Sequence, residues 1–231
     1  VQIIRFKSQH SVSPYAPKWD FNVGITQWSE SNKIDTIREF LLSKEEYVLS
    51  LPYMADGQTG LDDTKTTTRF GRYHIEDWAD ECPEIKEMYN FIRQSYLDFI
   101  YADQTVPFDL LYTSWYNIMT SGDKINLHRH CSAEMGYLSG NMHLDSHGSH
   151  TYYEHQGMTE NIENKKGGLT IFPSFLKHGV PIYDGLFPRV SLAFDTYILM
   201  PPYHEPPDGF NQELREFCNI DILNKTGKCH K

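Results

Sequence analysis

The chain has 231 residues, of which 39% are hydrophobic and 23% charged, and its formal net charge is −10. That composition is that of a soluble globular protein with enough chain for one substantial core. It excludes a bilayer-spanning helix, because no run approaches the roughly 20 apolar residues required, and so acidic a surface argues against a general nucleic-acid binder.

Aromatic residues make up 14%, mostly Tyr and Phe, a bias that suits strands. Cys82, Cys131, Cys218 and Cys229 are widely spaced with no C-x-x-C pair, which predicts reduced thiols in a cytoplasmic protein. Cys218 and Cys229 form the one pair to be checked for a bridge. The opening residues, Val1 to Lys7, carry no signal-peptide pattern.

In chain order, short apolar pieces predict strands at 2–6 and 20–26. Ile34, Ile37, Phe40 and Leu41 then recur at helical spacing, with Ser31 or Asn32 as cap. Residues 55–68 are Asp-, Gly- and Thr-rich, with Leu61 as the sole core candidate, and predict a mobile loop. Arg69 and Arg72 follow it. They are read either as partners of surface carboxylates or as cations facing a cleft. Pro83 opens a stronger helix in which Ile85, Met88, Tyr89, Ile92, Tyr96 and Phe99 form a core stripe.

From residue 107 the texture changes to β-like runs at 108–119, 135–144, 168–173 and 189–199. The polar segment 145–167, with His147, His150 and His155, reads as a long irregular insertion able to act as a lid or substrate loop. After Pro201 and Pro202 the tail is Pro- and Asp-rich with one short amphipathic piece from Phe210 to Phe217. There is no internal repeat and no dividing linker. The expectation is one domain over 1–231, with supporting strands and helices in 1–106, a β core in 107–200 and an extension in 201–231.

Histidine is where the chemistry concentrates. Alternate residues of a strand share a face, so His128-Arg129-His130 would place two imidazoles side by side. His178, just after the strand-like Leu169 to Pro173, is the candidate third ligand. Imidazole suits iron, zinc, copper or nickel. Arg189 follows on the next strand with Ser191 on its face, and a buried Arg beside a hydroxyl makes a bidentate clamp for a carboxylate. The competing reading of Arg189 is a surface salt bridge.

Taken together, Trp115-x-Asn117, Gly122-Asp123, His128-x-His130, Leu138-Ser139-Gly140, the run from Gly168 to Ser174, Leu176-x-His178-x-Val180 and Arg189-x-Ser191-x-x-Phe194 resemble the 2-oxoglutarate/Fe(II) oxygenases of phages and bacteria. More distantly, they are similar to prolyl hydroxylases. The resemblance spans residues 115–194. It implies a mainly β protein with flanking helices (α+β), built as a double-stranded β-helix, a jelly-roll or cupin-like barrel with N-terminal helices packed on one sheet.

It further implies Fe(II) held by His128, His130 and His178. The far carboxylate of the cosubstrate 2-oxoglutarate would be held by Arg189 with Ser191, and His143 and Tyr116 are additional cofactor contacts. His143 stands where the family often has a tyrosine and could donate the same hydrogen bond. The reaction implied is a dioxygenase reaction with O2, a hydroxylation of a protein side chain or a small molecule.

One departure from the superfamily pattern stands out. His130 occupies the place of the usual carboxylate in H-x-D. An alternative ligand set, His143, Asp145 and His178, contains an H-x-D, and Glu134 is a weaker source of a carboxylate. Two other functional classes therefore stay open: an inactive metal- or ligand-binding barrel with a virion-assembly role, and a three-histidine cupin-type dioxygenase that uses no 2-oxoglutarate.

Overall fold

A computed structural model describes residues 1–8, 20–130, 136–145, 147–198 and 214–229. Glu134 and Cys131 lie outside the described residues. Among the described residues, eleven strands form two antiparallel sheets. They are β1 (Gln2–Phe6), β2 (Phe21–Gln27), β3 (Leu110–Met119), β4 (Ile125–His128), β5 (Gly136–His143), β6 (His150–His155), β7 (Met158–Glu163), β8 (Gly168–Pro173), β9 (Lys177–Val180), β10 (Arg189–Ile198) and β11 (Arg215–Cys218). The larger sheet runs β1-β2-β8-β5-β10-β3-β11 and the smaller β4-β9-β6-β7. This is the expected jelly-roll pairing of two sheets, with one correction: the sheets do not join edge to edge into a closed barrel.

Four α-helices among the described residues accompany the sheets: α1 (Ser31–Ser43), α2 (Glu45–Ser50), α3 (Glu84–Ala102) and α4 (Ile220–Thr226). The stripe expected on α3 is buried throughout, from Ile85 to Phe99. It packs with Ile34, Ile37 and Leu41 of α1 against one face of the larger sheet, where Val190, Leu192 and Phe194 of β10 meet Tyr112, Tyr116 and Ile118 of β3. No helix among the described residues is long and apolar enough to cross a membrane. The Ser31 or Asn32 cap does not form; Glu30 takes the cap position without a side-chain bond.

Three segments differ from the sequence expectation. Residues 145–167 contain the β6–β7 hairpin, whose two-residue turn, Gln156-Gly157, takes positive φ at both positions (49° and 81°). That is the geometry of a type I′ hairpin turn. The polar outer side of this edge hairpin disguised it as a loop. Residues 55–68 end in a packed turn, not open loop: Thr66, Thr67 and Thr68 are buried in a short 3-10 helix, and the Thr66 hydroxyl donates to the Tyr116 carbonyl (2.7 Å). Gly60, at φ +74°, lies so close to β4 that a Cβ would meet the Asn126 amide at 2.2 Å. In the tail, the described end of the amphipathic piece is strand β11, paired with β3.

Arg69 neither faces the cleft nor pairs with a carboxylate. It donates to the Leu49 and Leu51 carbonyls and the Thr68 hydroxyl. Cys82, Cys218 and Cys229 are buried free thiols, so the latter two are not bridged.

Behind the larger sheet His74 is 1% exposed and packs edge-on against Tyr112. Burial lowers its pKa from 6.5 to about 4. The unfolded chain therefore takes up a proton near pH 6.5 that the folded chain refuses until about pH 4, and stability must fall as pH falls through that window. His74→Phe is expected to flatten that part of the pH–stability curve by about 3 kcal/mol, read by urea unfolding at stepped pH. An unchanged slope would mean that His74 already holds a proton in the fold.

Candidate metal and carboxylate site

Strand alternation builds the site. On β10, Val190, Leu192 and Phe194 face the helices, so Arg189, Ser191, Ala193, Asp195 and Tyr197 face the space between the sheets. Register extends each of these into a row. Ser191 lies opposite Asn117 of β3 and His143 of β5. Ala193 lies opposite Trp115 and Asn141, and Asp195 opposite Thr113 and Ser139. These rows floor a cavity of about 160 Å³ whose far wall is His128, Thr151 and His178 of the smaller sheet. Asp56, Thr59 and Thr67, from the segment expected to be a loop, also line it.

His128 and His178 are directly opposed in the β4–β9 ladder. His130 lies just past the end of β4, not within a strand as the alternation argument assumed. Its amide donates to the Ser174 carbonyl (3.2 Å), which keeps its ring beside the other two. Ring centroids lie 5.3 Å (His128–His130), 4.5 Å (His128–His178) and 4.8 Å (His130–His178) apart. One nitrogen from each lies within 4.8 Å of the others, so the three could hold one metal ion. His143 and Asp145 do not join this group. His143 is engaged with Arg189, and Asp145 accepts the Val190 amide (2.6 Å) and the Arg38 Nε–H (3.5 Å).

The protonation pattern suits a cation. Nδ1 of His128 meets the Asn126 carbonyl (2.9 Å) and Nδ1 of His178 the Leu176 carbonyl (3.2 Å). A carbonyl only accepts, so both Nδ1 atoms carry the proton and both Nε2 lone pairs are free. Nδ1 of His130 meets the Asp195 carboxylate (2.6 Å), with the same consequence. Burial, then the neighbouring His130, holds His128 at about 4. Burial, then His130 and His128, holds His178 well below the ordinary value. Phe172 (4.7 Å from His178), Tyr153 (5.7 Å from His178) and Trp115 (5.4 Å from His130) wall the rings in.

Arg189 is 1% exposed. Its Nη1 donates to Met119 Sδ (2.9 Å) and its Nη2 to His143 Nδ1 (3.1 Å), while Nε has no partner. Burial lowers its pKa to about 10, which leaves it cationic at neutral pH. Its hydrogen bonds go only to neutral groups, and the Asp145 carboxylate, which acts on it through space without bonding to it, offsets its desolvation only in part. Since His143 accepts from Arg189 through Nδ1, and burial together with Arg189 keeps it neutral, its proton is on Nε2, free to donate to a cavity ligand. Asn117 Oδ1 and Asn141 Oδ1, also lining the cavity, are buried without partners.

Tyr116 must be removed from the cavity. It has the opposite parity to Trp115 and Asn117, and its ring meets Tyr73 (5.8 Å) and Trp78 (6.4 Å) on the helical side. The residues that the motif reading missed are Asp195, Asn141 and Thr151; Asn117 was in the motif but was given no role. For Asp195 a signal was available: it shares the parity of Arg189 and Ser191 along one strand.

No family model matches the chain, and no curated protein matches it by sequence. Solved structures do. A Pseudomonas putida prolyl-4-hydroxylase superposes with a TM-score of 0.54 at 12% identity, over 76% of this chain and 92% of that one. SnoK, a non-heme alpha-ketoglutarate-dependent carbocyclase from nogalamycin biosynthesis, gives 0.55 at 10% identity, over 83% and 91%. A Trichoplax adhaerens prolyl hydroxylase in complex with a hypoxia inducible factor peptide fragment gives 0.50 at 13% identity, over 76% and 83%. The chain therefore has the double-stranded β-helix fold found in 2-oxoglutarate/Fe(II) oxygenases.

Proposed function

We propose that the protein is an Fe(II)- and 2-oxoglutarate-dependent dioxygenase of the kind found in phages and bacteria, a hydroxylase of a protein side chain or a small molecule. One observation carries this reading. Three imidazole lone pairs converge in the same cavity as a buried guanidinium whose hydrogen bonds go only to neutral groups. A metal with an anionic chelate reaching back to an arginine answers both features at once.

The donor set fits the metal and the cosubstrate. His128, His130 and His178 would hold iron through Nε2, with Nδ1 of each already engaged. Arg189 would bind the far carboxylate of 2-oxoglutarate, and the His143 Nε2–H and the Ser191 hydroxyl would orient it. Iron bound there supplies oxygen activation, coupling the oxidative decarboxylation of 2-oxoglutarate to succinate and CO2 with oxidation of a substrate C–H bond. Trp115, Tyr153 and Phe172 keep bulk water from the metal face. Asp56, Thr59 and Thr67, which line the same cavity, would face the substrate. The peptide held by the Trichoplax neighbour supports a protein side chain as substrate; the role named for SnoK supports a small molecule.

Anaerobic protein given Fe(II) and then titrated with 2-oxoglutarate should develop a weak visible charge-transfer band, and admitting oxygen should yield succinate. His130→Ala should lose metal and band together, while His143→Ala keeps metal and weakens the 2-oxoglutarate response. Iron retained by His130→Ala but lost by His143→Ala would move the site to His143 and Asp145. The all-neutral ligand set favours one competing reading, a three-histidine dioxygenase that uses no 2-oxoglutarate. Iron binding with no band and no succinate would select it.

A further inference from the structure

Three ligands of this kind need something to fix which nitrogen each presents. An imidazole can offer either Nδ1 or Nε2, and only one choice points the lone pair at the common centre. His128 and His178 are fixed by backbone carbonyls, those of Asn126 and Leu176. His130 differs: its Nδ1 is 2.6 Å from a side-chain carboxylate, that of Asp195. The two side chains are 7% and 9% exposed.

Asp195 is itself held. The Ser139 hydroxyl donates to its Oδ1 (2.5 Å), and Ser139 Oγ lies 3.0 Å from Ser174 Oγ. The Ser174 carbonyl in turn accepts the His130 amide. The imidazole of His130 is thus clamped from its backbone and from its ring by one connected network, and the acceptor on the ring is ionic.

We propose that Asp195 is the positioning residue of the metal site, accepting the His130 Nδ1 proton so that Nε2 faces the metal and lending the set, through one hydrogen bond, the negative charge that a directly bound carboxylate would otherwise bring. The proposal rests on the three-histidine metal site argued above. A carboxylate behind a ligating histidine orients the ring and raises its basicity, and losing such a partner typically costs about 10–100-fold in metal affinity. Because the other two histidines lean on backbone, Asp195 is the one orienting group among the three that a substitution can remove.

The test is Co(II) binding to the full chain, followed by its visible d–d absorption, with no turnover required. Asp195→Asn can still accept through its amide oxygen but carries no charge; Asp195→Ala removes both. Asp195→Asn is expected to bind Co(II) about 10–100-fold more weakly than the unsubstituted protein, and Asp195→Ala more weakly again. Ser139→Ala, which removes one donor to Asp195 but leaves the His130–Asp195 contact, should weaken binding by less than Asp195→Asn does. Equal binding by both Asp195 variants overturns the proposal, as does a loss in Ser139→Ala as large as that in Asp195→Asn.

A readout independent of the variants' folding is the tautomer of His130 in the unsubstituted, zinc-loaded protein, read by nitrogen-15 NMR. A proton on Nδ1 supports the proposal and a proton on Nε2 overturns it. His128→Ala serves as the reference: if it binds Co(II) as the unsubstituted protein does, the metal site itself falls, whereas loss in His128→Ala with none at Asp195 defeats the positioning role alone.

Discussion

His178→Ala is expected to abolish metal binding at working concentrations while leaving the fold in place. A structural zinc site held by four ligands is worth about 10–16 kcal/mol, so one ligand accounts for about 2.5–4 kcal/mol. With three imidazoles and no directly bound carboxylate to share the load, loss of one should lower affinity by about 100-fold or more. His178 is the most telling position because it comes from a strand remote from the other two and pairs directly with His128 across β4 and β9. Its surroundings, Phe172, Tyr153 and Leu176, are core residues that remain packed together. Equilibrium dialysis against Fe(II) or Co(II), alongside circular dichroism, decides the matter. Full metal retention in a folded variant would remove residue 178 from the centre.

The second large effect concerns Arg189, where binding and stability should move in opposite directions. Arg189→Met fills most of the same volume with an apolar chain and removes the charge. Binding of 2-oxoglutarate should weaken by about 2–5 kcal/mol, the usual cost of removing one partner of a buried charge pair. Stability of the ligand-free protein should hold or rise, because the guanidinium is hydrogen-bonded only to Met119 Sδ and His143 Nδ1 and Asp145 offsets its burial only in part, through space. Arg189→Lys keeps a point charge but loses the planar fork, and should fall between the two in binding. Calorimetry of 2-oxoglutarate binding to the metal-loaded protein, paired with urea unfolding without ligand, reads both quantities. A stability loss with unchanged 2-oxoglutarate affinity would make Arg189 a structural residue with no cosubstrate to hold.

Which parts of this were legible in the chain follows from how each element is buried. The α3 stripe and the strands at 168–173 and 189–198 were readable because their apolar residues recur at a fixed period against polar or turn-forming neighbours. The β6–β7 hairpin was not, because as an edge ribbon it buries only Thr151, Tyr153 and Ile162 and otherwise looks like loop. The Thr66–Thr68 run was misread for the opposite reason. Hydroxyl residues with low apolar content are buried there by hydrogen bonds to backbone, a force with no hydrophobic signature.

Tyr116 shows the limit at the site itself. Strand β3 is buried on both faces, and each parity carries polar and aromatic side chains, so nothing local says which set faces the cavity. Only the docking of Tyr73 and Trp78 on one side assigns Tyr116 to the helices and Asn117 to the cavity.

By itself the sequence determined which side chains are on offer and their order: imidazoles at 128, 130 and 178, and a cation and hydroxyl at 189 and 191, the last two set on one face by the two-residue period of a strand. The tertiary structure decided the rest. Cross-strand register set His128 opposite His178 and Asp195 in the row beside His130, so that the negative charge absent from position 130 stands one hydrogen bond behind it, on a strand 65 positions further along the chain. Contact at that separation is fixed by sheet pairing, which no local pattern of residues encodes.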